Sequence, residues 1–202
     1  MKKSEKIRHI ALQTIAAESK AVDNLKNSVN QDFIDAVEII YNTHGRVIVT
    51  GIGKSAHIAS KIVATLNSTG TPAIFMHAAD AIHGDLGIVR GEDVVIAISK
   101  SGETPEIKVL VPLIKSRENQ LIAIVGNINS YLATHSDKVL NVTVEKEACP
   151  NNLAPTSSTT AQLVMGDALA VSLLELRGFT PGDFAKIHPG GTLGKRLYMR
   201  VA

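Results

Sequence analysis

The spacing of apolar residues changes once along the chain, from a helical period to short continuous runs. Over residues 4–28 the apolar positions recur at steps of three and four, which predicts an amphipathic helix. A second helix is predicted over about 31–42, after Asn30. We expect these two N-terminal helices, spanning about 4–42, to precede the main fold. The positions that define the first stripe are Ile7, Ile10, Thr14, Ala17, Ala21 and Leu25.

Beyond residue 45 the apolar residues form short β-branched runs, which are typical of strands buried on both faces of a parallel sheet. These runs are RVIVTG (46–51), AIFMH (73–77), DVVIAIS (93–99), LIAIVG (121–126) and KVLNVTV (138–144). Helices are predicted between them near 55–68, 105–117 and 129–135. The alternation predicts an α/β fold: a three-layer αβα sandwich with a five-stranded parallel sheet, doubly wound in the flavodoxin-like manner.

A last helix, predicted over about 158–177, is apolar on nearly all sides. Such a helix must be covered all round, so it either crosses the domain interior or lies in a subunit interface. We expect an oligomer. The apolar positions are Leu163, Val164, Met165, Ala168, Leu169, Val171, Leu173 and Leu174.

Composition indicates a soluble globular protein of 202 residues, with 45% hydrophobic and 20% charged residues. A formal charge of +2 and the lack of Trp argue against nucleic acid and anionic membranes as partners. No uninterrupted apolar run approaches the roughly 18 residues of a membrane span. The single cysteine, Cys149, excludes an internal disulfide and fits the reducing cytoplasm, which is the predicted location.

Two predicted strand ends carry glycine and hydroxyl side chains. One is Gly51–Ser55 and the other is Ser99–Thr104, and each opens a helix. Free backbone N–H groups, the positive end of a helix dipole and added hydroxyls together suit a phosphate monoester. Helix capping and turn formation would explain the same residues without a ligand. The substrate-binding candidates in these loops are Gly53, Ser55, Ser99, Ser101, Gly102 and Thr104.

Nucleotide-binding motifs fit the first loop poorly. A P-loop would need glycine where Ile48 stands, five residues before Gly53-Lys54-Ser55. The run Gly51–Ala56 matches the looser dinucleotide pattern, but the next strand ends in His77 rather than in an acidic residue. A sugar phosphate is therefore favoured over a nucleotide.

Several longer segments carry a family resemblance from about residue 10 to the C-terminus. They resemble the sugar isomerase (SIS) domain of arabinose 5-phosphate isomerases, which implies that residues 1–202 form a single SIS domain. Many members continue into a pair of CBS domains, whereas this sequence stops just after Arg200-Val201, so we expect an isolated catalytic domain without CBS regulation. The segments are GIGKSAHIASKIVATLNSTGTP, HGDLG, AISKSGET, KEACPNNLAPTSSTTAQLVMGDALA and HPGGTLGKRL.

The resemblance implies reversible conversion of D-ribulose 5-phosphate to D-arabinose 5-phosphate through a cis-enediol, the first step of Kdo synthesis. This chemistry needs a base for the proton shared by C1 and C2 and a donor or cation for the oxygens, but no metal or organic cofactor. The positions that match the family's catalytic motifs are Lys54, Glu106, Glu147 and His188.

Roles for these four residues follow from their predicted surroundings. Lys54 would stabilise the enediolate or the phosphate from within the first loop. Glu147 is assigned as the proton shuttle, because a partly desolvated carboxylate there would have a raised pKa. Glu106 in the first turn of its helix stays open as the alternative, although helix-dipole stabilisation explains it nearly as well. His188 would open the furanose ring or carry a hydroxyl proton, and it is the expected donor if a second subunit completes the site.

Two histidines near the end of the second strand, His77 and His83, are assigned to binding substrate hydroxyls. With Asp80 and Asp85 they match no strong zinc signature, although the resemblance allows an adventitious inhibitory zinc there. The resemblance also implies a homotetramer, and we expect a late sugar nucleotide of the Kdo pathway to inhibit. Two other hypotheses stay open, namely a non-catalytic sugar-phosphate sensor and an isomerase of a hexulose phosphate.

Overall fold

Five parallel strands form the sheet, in the order β2-β1-β3-β4-β5. The structure, a computed structural model, describes residues 2–190, so most of the HPGGTLGKRL segment lies outside the described residues. The order is that of a flavodoxin-like, doubly wound sheet, which confirms the predicted fold class. The strands are β1 (Val47–Gly51), β2 (Ala73–His77), β3 (Val94–Ser99), β4 (Leu121–Val125) and β5 (Lys138–Asn141).

The long helices lie where the apolar spacing predicts them, within a few residues. Three short elements were not predicted, because four to seven residues hold too few turns for a period to show. In sequence order the helices are α1 (Lys3–Asn24, followed by a 3-10 turn at Leu25–Ser28), α2 (Gln31–Asn42), α3 (Lys54–Ser68), α4 (Ala78–Ala81, with a 3-10 turn at Asp85–Ile88), α5 (Pro105–Lys115), α6 (Tyr131–Thr134), α7 (Ser157–Leu176) and α8 (Pro181–Ile187).

Alternate residues of the central strands face two separate hydrophobic layers. On β3, Val94, Ile96 and Ile98 pack with apolar residues of α2, α3 and α7. Val95 and Ala97 point to the other face and pack with α4, α5 and α6. Because successive side chains of a strand point to opposite faces, continuous apolar runs require a cover on both sides. This arrangement confirms the three-layer sandwich.

Helix α7 packs closely on α3. A Cβ at Gly166 would lie 2.3 Å from Ile62 Cδ1, so the glycine allows the two helices to approach. Lys61 Nζ, on α3, lies 2.5 Å from Asp167 Oδ1 of α7. Within residues 2–190, α7 is one helix that is long and apolar enough to cross a membrane by length and composition, a property that core helices share. Its contacts here are those of a core helix, and Val171 remains 53% exposed.

The apolar stripe predicted on α1 is covered only at its C-terminal end. Ala21 and Leu25 are buried, whereas Ile7 and Ile10 are 60% and 44% exposed in the single chain. Helix α1 packs against α7, which itself leaves Val171 exposed. These two helices therefore carry exposed apolar residues that no other part of residues 2–190 covers.

Candidate active site

The two glycine- and hydroxyl-containing loops follow neighbouring strands. Gly51 of β1 lies opposite Ile98 of β3, while β2 continues the sheet on one side and β4 on the other. The sheet grows from β1 to β2 on one side and from β3 to β5 on the other, so the order of the strands reverses between β1 and β3. Open α/β sheets bind ligands in the crevice beyond such a switch point. The structure thus brings the two predicted loops together at one place.

The first loop leaves its backbone open to a ligand. Gly53 has φ 58°, in the left-handed region that favours glycine, and a Cβ there would meet nothing within 4 Å. Lys54 begins α3 and is exposed, and its ammonium pairs with no other described residue. Ser55 is half-buried, and its hydroxyl donates to Gln162 Oε1 of α7 at 3.2 Å. This hydrogen bond ties the first turn of α3 to α7.

The second loop uses its serine oxygens to hold its own turn. Ser99 Oγ accepts from Gly102 N at 2.9 Å, and Ser101 Oγ accepts from Glu103 N at 3.3 Å. Because each oxygen accepts here, its own O–H remains able to donate to a ligand. Among residues 2–190, Thr104 Oγ1 is buried without a hydrogen-bond partner. The loop therefore forms the hydrogen bonds that its turn needs, and its hydroxyl groups can still donate to a ligand.

Glu147 occupies a different environment from the one the sequence suggested. Its side chain is fully buried, and Oε2 accepts from the backbone N–H groups of Thr156 (2.8 Å) and Ser158 (3.1 Å) at the start of α7. Oε1 accepts from Ser158 Oγ at 2.5 Å and lies 2.7 Å from Lys100 Nζ. All the acceptor positions of this carboxylate are occupied.

The expected raised pKa of Glu147 is wrong. Burial raises the pKa, but the Lys100 ammonium, the Ser158 hydroxyl and the backbone N–H groups of Thr156 and Ser158 together lower it to about 2. Hydrogen bonds to the charged form and a nearby cation outweigh desolvation in this case. Glu147 is therefore a permanently ionised group near neutral pH.

Lys100 is the site residue that sequence reasoning missed. It follows β3 inside the second loop, but its partner Glu147 lies 47 positions further along, so spacing alone could not pair them. The sequence offered one signal, a lysine directly after a strand and between two serines. With residues that follow β4 and β5 and with residues of α7, it lines a cavity of about 250 Å³, whose polar lining includes Ser101, Asn127, Ser158 and Gln162.

Glu106 is a carboxylate at this edge of the sheet that is not paired with another described residue. It lies in the first turn of α5 and is half-buried, and within residues 2–190 it makes no hydrogen bond or ion pair. The second loop ends directly before this turn, because Pro105 is the first residue of the helix. Its carboxylate is thus available to a ligand held by that loop.

The structure does not bring His188 to the other three predicted residues within one chain. His188 follows α8, stacks on Phe184, and its Nε2 lies 3.3 Å from Ser68 Oγ at the end of α3. Lys54 stands at the opposite end of α3, and fourteen residues at 1.5 Å each separate the two ends by about 21 Å.

The histidines after β2 are only loosely associated with acidic groups. His77 Nδ1 lies 3.7 Å from Asp80 Oδ2, and His83 is exposed. Among residues 2–190 no group of three or more His, Cys, Asp or Glu is arranged to hold a metal ion. The hydroxyl-binding role of His77 and His83 stays a prediction.

The fold and the site define a flavodoxin-like α/β domain. The crevice between the ends of β1 and β3 is lined with hydrogen-bond donors that suit an anion. The SIS-domain profile matches residues 39–172, and the chain belongs to this family. It is 53% identical over 193 residues to the Pseudomonas aeruginosa arabinose 5-phosphate isomerase KdsD, covering 96% of this chain and 59% of that protein.

Two further relatives come from Escherichia coli. Identity to the arabinose 5-phosphate isomerase KpsF is 50%, covering 94% of this chain and 58% of that protein. The chain thus spans just under three fifths of the length of these curated relatives. A solved structure of the protein c3406, in complex with arabinose 5-phosphate, superimposes with a TM-score of 0.89 at 41% identity, covering 94% of this chain and all of that one.

Proposed function

We propose that this domain is an aldose–ketose isomerase that interconverts D-ribulose 5-phosphate and D-arabinose 5-phosphate, feeding Kdo synthesis. The observation that carries the proposal is the meeting of two donor-rich loops at the switch point, with the unpaired Glu106 at the end of one and Lys54 at the end of the other. The names of the relatives and the bound sugar phosphate of one neighbour support it.

The phosphate would bind to the two loops. Backbone N–H groups at the first turns of α3 and α5 and the O–H groups of Ser99, Ser101 and Thr104 supply donors to a dianion. A glycine at 53 lets the phosphate approach the backbone. This contact holds the C5 end and extends the carbon chain toward the ionisable side chains.

We assign the proton transfer to Glu106, in place of the earlier assignment to Glu147. Starting from ribulose 5-phosphate, Glu106 takes a proton from C1, the electron pair of that C–H bond forms the C1–C2 double bond, and the C2 carbonyl oxygen becomes the negative oxygen of a cis-enediolate. The O1 hydroxyl proton then passes to O2, and return of the carboxyl proton to C2 with formation of the C1 carbonyl gives the aldose. Lys54 is placed to stabilise the negative oxygen. A carboxylate with every acceptor position filled, such as Glu147, is poorly suited to accept a proton.

We also propose that a second copy of the chain completes the site within a homotetramer. His188 is about one α3 length from Lys54 in its own chain, so a catalytic role for it requires a different subunit. The exposed apolar residues of α1, among them Ile7 and Ile15, are the surface that such an assembly would cover. The free thiol of Cys149 is compatible with a cytoplasmic enzyme.

A late sugar nucleotide of the Kdo pathway remains our proposal for an inhibitor. Its phosphate groups would compete for the donors of the two loops, so inhibition should be competitive with the sugar phosphate. Calorimetric titration with the activated sugar nucleotide measures this directly, and a titration without heat or competition would exclude it.

The proposed activity is tested with a coupled assay on purified protein and ribulose 5-phosphate. Turnover to arabinose 5-phosphate that is lost in Glu106→Gln supports the isomerase. Tight binding without turnover would instead identify a sensor, and a panel of pentose and hexose phosphates would reveal an isomerase of a hexulose phosphate. The control is Lys115→Met, which removes an ion pair with Asp137 at the far end of α5. It shows whether loss of activity comes from substitution and purification alone.

A further inference from the structure

The ion pair of Lys100 and Glu147 has its two ends in different environments. The Glu147 side chain is fully buried, whereas the Lys100 side chain is 46% exposed, with 2.7 Å between Nζ and Oε1. One N–H of the ammonium faces the carboxylate, which leaves two further donors. The pair therefore presents its positive end outward and keeps its negative end inside.

Glu147 holds that ammonium in one place. Both of its oxygens are fixed by the start of α7, through Thr156 N, Ser158 N and Ser158 Oγ. A carboxylate anchored by this many donors cannot turn toward a ligand without leaving several of them unpaired. Glu147 is thus a positioning residue for Lys100.

The backbone of Lys100 is also fixed. Gly126 N donates to Ser99 O at 3.2 Å, and a Cβ at Gly126 would lie 2.7 Å from Lys100 O. The glycine therefore allows the loop after β4 to lie directly against the Lys100 carbonyl. With both ends of the residue held, the ammonium is preorganised at the edge of the 250 Å³ cavity.

The Lys100 side chain and residues 102–103 of its loop contact different helices. Gly102 O accepts from Leu132 N, and Glu103 Oε1 accepts from Tyr131 N, so residues 102–103 pack on α6. Lys100 instead reaches Glu147 and Ser158 beside α7. The cation thus lies on the α7 side of the loop, in a cavity that it shares with one of the phosphate-loop hydroxyls, that of Ser101.

We infer that Lys100 is a substrate-contacting residue whose ammonium, positioned by Glu147, hydrogen-bonds the oxygen that becomes negative in the enediol intermediate. This inference rests on the proposed isomerase function and adds a second cation to Lys54. A fixed donor aimed at developing charge lowers the barrier more than it strengthens ground-state binding, so its loss should appear in kcat.

The test compares Lys100→Met with the matched control Lys115→Met. Lys115 forms an ion pair of the same length, 2.7 Å, with Asp137 and lies at the far end of α5. For Lys100→Met we expect kcat with ribulose 5-phosphate to fall about 100-fold, as for loss of one such donor. KM and the inhibition constant of inorganic phosphate should stay within about two-fold, because the phosphate contacts remain. Lys115→Met should match the wild type.

Lys100→Met also leaves Glu147 buried without its cation, so a loss of folding must be separated from a loss of catalysis. The double variant Lys100→Met with Glu147→Gln removes both charges and should recover part of the melting temperature. Its kcat should stay about 100-fold low, because no ammonium is restored. Lys100→Arg, which keeps a charge but changes its geometry, should give an intermediate kcat.

Three results would overturn the inference. They are an unchanged kcat in Lys100→Met, a rise of KM and of the phosphate inhibition constant with kcat retained, and a double variant that regains wild-type kcat. The second result would make Lys100 a phosphate contact, and the third would make the pair purely structural. Absence of turnover in the wild type would count against the isomerase proposal itself, which separates the two failures.

Discussion

His188 lies beside Ser68, with 3.3 Å between Nε2 and Oγ, at the end of α3 that is farthest from Lys54. If His188 acts in catalysis, it must therefore act in the site of another subunit. Two inactive variants, His188→Asn and Glu106→Gln, should then complement each other after unfolding and joint refolding. In a one-to-one mixture about a quarter of the sites combine an intact Glu106 with an intact His188, so activity should recover to about that fraction.

The control for complementation is a mixture of Glu106→Gln with the double variant that carries both changes, which contains no intact combination and should stay inactive. Recovery in the first mixture but not in the second would show that sites are shared. Failure to recover, with hybrid tetramers confirmed by mass spectrometry, would place His188 outside the site.

Glu106→Gln should lower kcat by about 10²- to 10⁴-fold, the usual range for loss of a general base. The melting temperature should hardly change, because the carboxylate is half-buried and unpaired within the described chain. Steady-state kinetics and calorimetry on the same preparations measure the two effects. Glu38→Gln, on the exposed side of α2, is the control. Nearly full kcat in Glu106→Gln would return the proton transfer to another group.

Sequence patterns predicted the sheet well because a strand buried on both faces is a short, continuous apolar run in the sequence. The run from Asp93 to Ser99 was predicted as a strand buried on both faces, and because the strands are parallel, the residues after β1 and β3 lie at one edge of the sheet. The short β5 ends at Asn141 rather than at Val144, because the β-branched run continues past the last strand pairing. Capping at Thr180, with Asp183 and Pro181, was the available signal for α8.

The site was harder to predict, since its electrostatics depend on contacts between distant segments. The position of Glu147 after the last strand suggested a free carboxylate, but its charge is fixed by Lys100 and by the first turn of α7, segments that only the fold brings together. His188 illustrates the same limit, because a motif match gives no information about which subunit supplies a side chain.

Two glycines of the crevice should differ in their tolerance of alanine. Gly53 and Gly102 both have positive φ, 58° and 68°, so alanine costs about 1–2 kcal/mol at either. At Gly53 the added Cβ meets open space, whereas at Gly102 it would lie 2.0 Å from Ser130 Oγ and 2.6 Å from Ser130 Cβ. Urea unfolding should therefore show a larger loss of stability for Gly102→Ala than for Gly53→Ala. Equal losses would mean that the turn near Ser130 can relax.

The buried charge of Glu147 should make stability depend on pH in acid. Its pKa falls from 4.5 to about 2 on folding, so the folded state gains about 3 kcal/mol above pH 4.5, and this gain is lost as the pH falls toward 2. Glu147→Gln should be less stable at pH 7, and the difference in unfolding free energy from the wild type should shrink between pH 5 and pH 3. Urea titrations at several pH values measure that difference. A difference that stays constant over this range would mean that the carboxylate titrates normally and that Lys100 and the start of α7 do not hold it ionised.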